Sequence, residues 1–95
     1  MAANAIRIGI LGDFHPEYHS HLATNASLQH AARAIGRAVE SEWVATPTLL
    51  DPAVQKSLAR FDALWISPGS PYNSMAGMLA GIRYARLGHW PVLAT

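Results

Sequence analysis

A Pro68-Gly69-Ser70 turn directly after the apolar run Ala63-Leu64-Trp65-Ile66 is the most chemically suggestive feature of this 95-residue chain. On such a turn the backbone N–H groups of Gly69 and Ser70 can converge on one point, the geometry that stabilises an oxyanion. Pro71 has no N–H, so any donor pair lies before it. The same residues also suit a plain strand-to-helix connection with Ser70 or Ser74 as the helix cap. A second segment, Gly12 to Ser20, carries Asp13 and Glu17 with His15 and His19, and His21 follows at once. His-x-His on extended backbone can offer two imidazoles to one metal, but no third ligand stands at fixed spacing, and surface or substrate-contact histidines are the alternative. Asp13 could hold magnesium, yet no acidic partner sits beside it, so a loop carboxylate is the simpler reading. Neither a metal nor a cofactor is expected.

Other chemistries are set aside by what their motifs require. Gly9-Ile10-Leu11-Gly12 lacks the third glycine and the tight entry into a helix of a dinucleotide fingerprint, and no phosphate-binding loop with its lysine is present. There is no Gly-x-Ser-x-Gly elbow and no Ser/His/Asp order. With no cysteine, disulfides, thiolate zinc sites and a cysteine nucleophile are excluded within these residues. Met75 and Met78 fit a helix stripe, Trp43, Trp65 and Trp90 fall in or beside strands, and His30 and His89 suit solvated positions.

The elements that must position the two segments follow from periodicity. Ile6, Ile8, Ile10 and Leu11 predict a buried first strand ending at Gly12. Leu28, Ala31, Ala32 and Ile35 predict a first helix, with Thr24 or Asn25 as cap and Gly36 as stop. Val39, Ser41 and Trp43 alternate with Glu40 and Glu42, as on an edge strand that Thr46-Pro47-Thr48 ends. Asp51-Pro52 reads as the entry to a short second helix with Val54 and Leu58 inward. Ala63 to Ile66 is apolar throughout, as in a central parallel strand buried on both faces. Met75, Met78, Leu79 and Ile82 predict a third helix, Arg83 and Arg86 on its wetter side and Gly88 at its end, and Pro91 to Thr95 a fourth strand. Right-handed crossovers turn this β-α-β-α-β-α-β order into an α/β fold with a doubly wound parallel sheet. In such a sheet Gly12 to Ser20, Pro68 to Ser74 and whatever follows Thr95 meet at the carboxyl edge, where ligands bind.

Composition limits the partners. The formal net charge is +1, with 51% hydrophobic and 14% charged residues and no run of like charge. That suits a folded domain and lacks the cationic footprint that nucleic acid or an anionic membrane requires. The amino terminus has no signal-peptide pattern and no stretch reaches membrane-spanning length, so a cytoplasmic location is expected.

Read together, four segments resemble the glutaminase (class I glutamine amidotransferase) half of CTP synthases, and most closely the smaller CTP-synthase-related proteins that carry this half alone. They are Ile6 to Phe14, similar to the family's opening strand and Gly-x-aromatic turn; Ala23 to Ala31, similar to its Ser-Val-Asn-Glu-Ala-Leu-x-His-Ala helix start; Phe61 to Ser70, similar to the strand into a Pro-Gly-Gly turn; and Gly77-Met78 with Ile82 to Arg86, similar to the helix that follows. The resemblance implies a flavodoxin-like three-layer fold, with residues 1–95 as the N-terminal half of one amidotransferase-like domain ending after its fourth strand. It further implies glutamine as the ligand of the complete protein, Gly69 and Ser70 at the oxyanion, and Asp13, Phe14 and Tyr72 as candidate contacts of the substrate loops. Ser70 stands in place of the second glycine, and Asp13 where synthetases often have lysine.

In that family the nucleophile is a cysteine directly after the strand that matches Pro91 to Thr95, and its His and Glu partners lie far beyond. No catalytic residue is therefore expected within the chain, and the isolated segment is expected to be inactive. Some small relatives are described as selenoproteins, whose UGA codon read conventionally would end the chain before the nucleophile; a cloning or proteolytic boundary is the alternative. The synthetase half has no counterpart here. A second reading is a non-catalytic module with a degenerate amidotransferase fold that binds a small molecule or docks on a partner through its open edge; self-association through an exposed strand edge is also expected.

Overall fold

The computed structural model describes residues 5–68 and 72–94. β1 (Ile6–Leu11), β2 (Val39–Val44), β3 (Ala63–Ile66) and β4 (Val92–Ala94) form one parallel sheet in the order β2-β1-β3-β4. β1 is central, with Ile10 opposite Trp43 on one side and Trp65 on the other. β2 is an edge strand, as its alternating glutamates predict. The connection from β1 moves one way across the sheet and those from β2 and β3 move the other way. Right-handed crossovers therefore place α1 (His19–Ile35) on one face and α2 (Pro52–Ser57) with α3 (Met75–Leu87) on the opposite face. This is the doubly wound α/β architecture expected from the element order.

Several local rules act as anticipated. Asp51 accepts the Ala53 N–H at 2.8 Å and Pro52 opens α2. Gly36 closes α1 in the left-handed conformation, and Ser74 caps α3 by accepting the Gly77 N–H at 2.9 Å. Three expectations need correction. α1 starts at His19, so Thr24 and Asn25 lie within it: Thr24 Oγ1 donates to the Ser20 carbonyl and Asn25 Oδ1 accepts the Trp43 indole N–H. The stripe of α3 is also rotated. Met75 and Leu79 are exposed, whereas Gly77, Met78, Gly81 and Ala85 are buried, because the helix presses against a 3-10 turn at Thr46–Leu50. That turn stands where the sequence suggested a plain strand end, and Leu49 in it is fully buried.

The core lies between the sheet and the α2/α3 face, built on Leu11, Val44, Leu49, Leu58, Phe61, Leu64 and Met78. Gly77 permits the closest approach: a Cβ there would lie 1.8 Å from the Thr46 carbonyl oxygen. The α1 face is covered unevenly. α1 packs on β2, and the neighbouring strands leave an open apolar groove of about 310 Å³ lined by Ile8, Leu28, Trp65, Pro91, Val92 and Leu93. Val92 and Leu93 are half exposed on β4. No helix among the described residues is long and apolar enough to cross a membrane.

Candidate functional site

At the carboxyl edge of the sheet the loop after β1 meets the exits of β2 and β3, and side chains carried by the first loop hold both. Gly12 begins that loop, its N–H donating to Val44 O at 3.0 Å. A Cβ at Gly12 would lie 2.0 Å from Ser67 Oγ, so glycine is what lets the exits of β1 and β3 run side by side.

Asp13 is buried, and its carboxylate is a junction. Oδ1 accepts the Thr46 N–H at 2.9 Å; Oδ2 accepts the Thr46 hydroxyl at 2.8 Å and the Asn73 N–H at 2.9 Å. Thr46 Oγ1 in turn accepts the Ser74 N–H at 2.8 Å. The carboxylate thus fastens the exit of β2 and the entrance of α3 to the first loop with charge-assisted hydrogen bonds. Burial by itself would raise the Asp13 carboxyl. The hydrogen bonds from Asn73 and Thr46, with His15 nearby, outweigh it and hold the group below its ordinary value of 3.8.

His21 forms a second junction. It is 2% exposed, with its ring centroid 4.7 Å from that of Trp43 and 5.1 Å from that of Tyr18. Its Nδ1 accepts the His15 N–H at 3.0 Å, which leaves Nε2–H to donate to the Pro68 carbonyl at 2.9 Å. Ser67 is fully buried beside it; its carbonyl accepts the Tyr72 hydroxyl at 2.8 Å, while Oγ has no hydrogen-bond partner among the described residues.

The structure brings the two segments singled out in the sequence together at this edge. Asp13 is engaged on both oxygens within the protein, Tyr72 leans on the core with its hydroxyl bound to Ser67, and Phe14 is 39% exposed against Trp43 and His21. Gly69 and Ser70 lie outside the described residues, as does Thr95. His15, His19 and His21 do not form a set: His19 opens α1 in solvent, His15 pairs with Glu17 at 3.3 Å, and His21 is buried. Among the described residues no three His, Asp or Glu side chains are placed to hold a metal ion. The burial of His21 was legible in one respect. Extending the stripe of Leu28 and Ala32 back by seven residues gives His21 and Asn25, both of which face inward contacts. Nothing in the sequence marked Thr46 or Asn73 as partners of Asp13, or Ser74 as the donor to Thr46 Oγ1.

No protein-family profile matches the chain. Curated relatives do. The chain is 31% identical over 81 residues to a CTP synthase of Acidobacterium capsulatum, covering 85% of the chain and 15% of that protein. It is 26% identical over 87 residues to a CTP synthase of Methanothermobacter thermautotrophicus, covering 92% of the chain and 16% of that protein. It thus spans roughly one sixth of the length of these relatives. A solved structure of the glutaminase domain of Trypanosoma brucei CTPS with bound acivicin superposes with a TM-score of 0.80 at 18% identity, over 94% of the chain and 35% of that chain. The resemblance read from the four segments therefore stands: the chain is similar in sequence to part of CTP synthases and has the fold of the glutaminase domain.

Proposed function

We propose that this segment, similar to CTP synthases in sequence and to their glutaminase domain in fold, is the front part of a glutamine-hydrolysing unit. The observation that carries the reading is the carboxyl edge of the sheet, where Asp13 and His21 fasten the first loop to both sides of the turn after β3. In the reading, a thiolate or selenolate supplied after β4 attacks the glutamine side-chain carboxamide. The tetrahedral intermediate expels ammonia, and water then hydrolyses the resulting acyl-enzyme to glutamate. Gly69 and Ser70 would offer backbone donors to the oxyanion, and Phe14 and Tyr72 would border the substrate. A cytoplasmic location belongs to the same reading.

The test compares ammonia release from glutamine by the pure 95-residue chain and by a protein that continues through the next strands. The longer protein should release ammonia and the short chain should match the buffer. Activity in the short chain would overturn the placement of the nucleophile, and inactivity of the longer protein would overturn the glutaminase reading. A second reading, an interaction module that associates through its sheet edge, is favoured by one observation: the apolar groove beside the half-exposed Val92 and Leu93.

A further inference from the structure

We propose that His21 is a positioning residue that fixes the exit of β3, held as a neutral imidazole in the Nε2–H tautomer. For catalysis, the proposal rests on the glutaminase reading above. Both ring nitrogens are committed. The His15 N–H points at Nδ1 at 3.0 Å, so Nδ1 presents its lone pair, and Nε2–H donates to the Pro68 carbonyl at 2.9 Å. The imidazole therefore supplies one acceptor and one donor to two backbone groups carried by different segments. With the ring 2% exposed among aromatic neighbours, water has little access to replace it.

What the clasp holds matters more than the hydrogen bonds themselves. Pro68 follows the last buried residue of the β3 exit, and its carbonyl begins the peptide that leaves the strand. Holding that carbonyl restrains the backbone at Pro68, where the chain leaves the strand. The opposite side of the turn is tied separately. Tyr72 binds the Ser67 carbonyl, and the Asn73 N–H reaches Asp13. With His21 on one side and Asp13 on the other, the first loop fixes both ends of the connection. Both ring nitrogens of His21 are bonded to backbone groups, which distinguishes its role from that of a general base or a nucleophile.

The test uses His21→Ala and His21→Gln. Glutamine can reproduce both contacts, its amide N–H toward Pro68 and its amide oxygen toward the His15 N–H; alanine reproduces neither. Nitrogen NMR of the imidazoles in the 95-residue chain should show His21 as the neutral Nε2–H tautomer. Amide exchange at His15 and around Ser67 and Tyr72 should speed by about tenfold or more in His21→Ala, with β1–β2 amides changed less than about twofold, and His21→Gln should restore it. In the longer protein His21→Ala should lower kcat by about 10- to 100-fold with little change in KM, and His21→Gln should recover most of it. The Nδ1–H tautomer, a uniform rise in exchange, or equal failure of both variants at equal stability would overturn the proposal. A wild-type protein that releases no ammonia would refute the glutaminase reading instead, while the tautomer and exchange pattern would still decide the clasp.

Discussion

Replacing Asp13 by asparagine leaves the volume of the site unchanged and forces a choice between two bad arrangements. Oδ2 serves two donors, the Thr46 hydroxyl and the Asn73 N–H, and Oδ1 serves the Thr46 N–H. An asparagine oxygen placed at the Oδ2 position leaves its NH2 facing the Thr46 N–H; the flipped amide faces the Asn73 N–H instead. Either way one backbone donor is orphaned, at a cost of about 1–3 kcal/mol. Asp13→Ala removes every acceptor and should cost about 3–5 kcal/mol. That is a large share of the roughly 5–15 kcal/mol that stabilises a typical domain. Urea unfolding of the wild type and Asp13→Asn at several pH values is the assay. Because the folded-state pKa of Asp13 lies below its ordinary 3.8, the carboxylate stabilises the fold above the unfolded value, and that contribution is lost as pH falls through the folded value. The gap between the two proteins should therefore be full near neutrality and close as Asp13 protonates, since a carboxylic acid resembles the asparagine it is compared with. A gap below about 0.5 kcal/mol at pH 7, or one that persists unchanged after Asp13 has protonated, would refute the assignment of Asp13 as an ionised junction.

Gly77→Ala should destabilise by about 1–3 kcal/mol in thermal or urea melts, because the new Cβ meets the Thr46 carbonyl at 1.8 Å and α3 must lift off the 3-10 turn. Ser67→Ala should leave stability unchanged or raise it by up to about 1 kcal/mol, since the buried Oγ has no hydrogen-bond partner among the described residues; a clear loss would mean that the hydroxyl is bonded after all. Leu93→Lys should reduce concentration-dependent association measured by sedimentation, because it places a charge in the apolar groove beside β4; unchanged association would remove that edge as the contact.

The fold was readable because its strongest signals are local. Asp51-Pro52, Ser74 and Gly36 each act within a few residues, and the structure uses each as expected, while the apolar run of β3 forms its strand with Leu64 buried and Trp65 lining the open groove on the α1 face. What escaped reading was the packing between elements. Met75 and Leu79 match a helix period as well as Met78 does, but the face that turns inward is set by Gly77 and Gly81 allowing contact with the segment Thr46–Leu50. Thr46-Pro47-Thr48 reads as a strand terminator because proline cannot extend a ladder; that it also opens a 3-10 turn with Leu49 buried depends on α3, far along the chain. At the site the two converging loops were legible from topology alone. The partners of Asp13 were not, since two of its three donors are main-chain N–H groups and the third is a hydroxyl, none of which a side-chain pattern announces.

The residue types at the two junctions follow from the backbone groups they must satisfy. Loops at the carboxyl edge of a parallel sheet have left the strand ladder, so their N–H and carbonyl groups need other partners once they are buried. The exit of β2 and the entrance of α3 present donors, the N–H groups of Thr46 and Asn73 with the Thr46 hydroxyl, and an acceptor-only carboxylate meets all of them. At the exit of β3 the need is mixed: a carbonyl at Pro68 and an N–H at His15. A neutral imidazole, with one donor and one acceptor on opposite sides of a rigid ring, answers that combination. This account explains why lysine, often found in synthetases at the position of Asp13, could not take the same role here, having three donors and no acceptor. It also sets the rule for tolerated change at the edge: a substitution survives when it keeps the count of donors and acceptors as well as the volume. By that rule His21→Gln and not His21→Phe should preserve the loop, although phenylalanine is closer to the imidazole in shape.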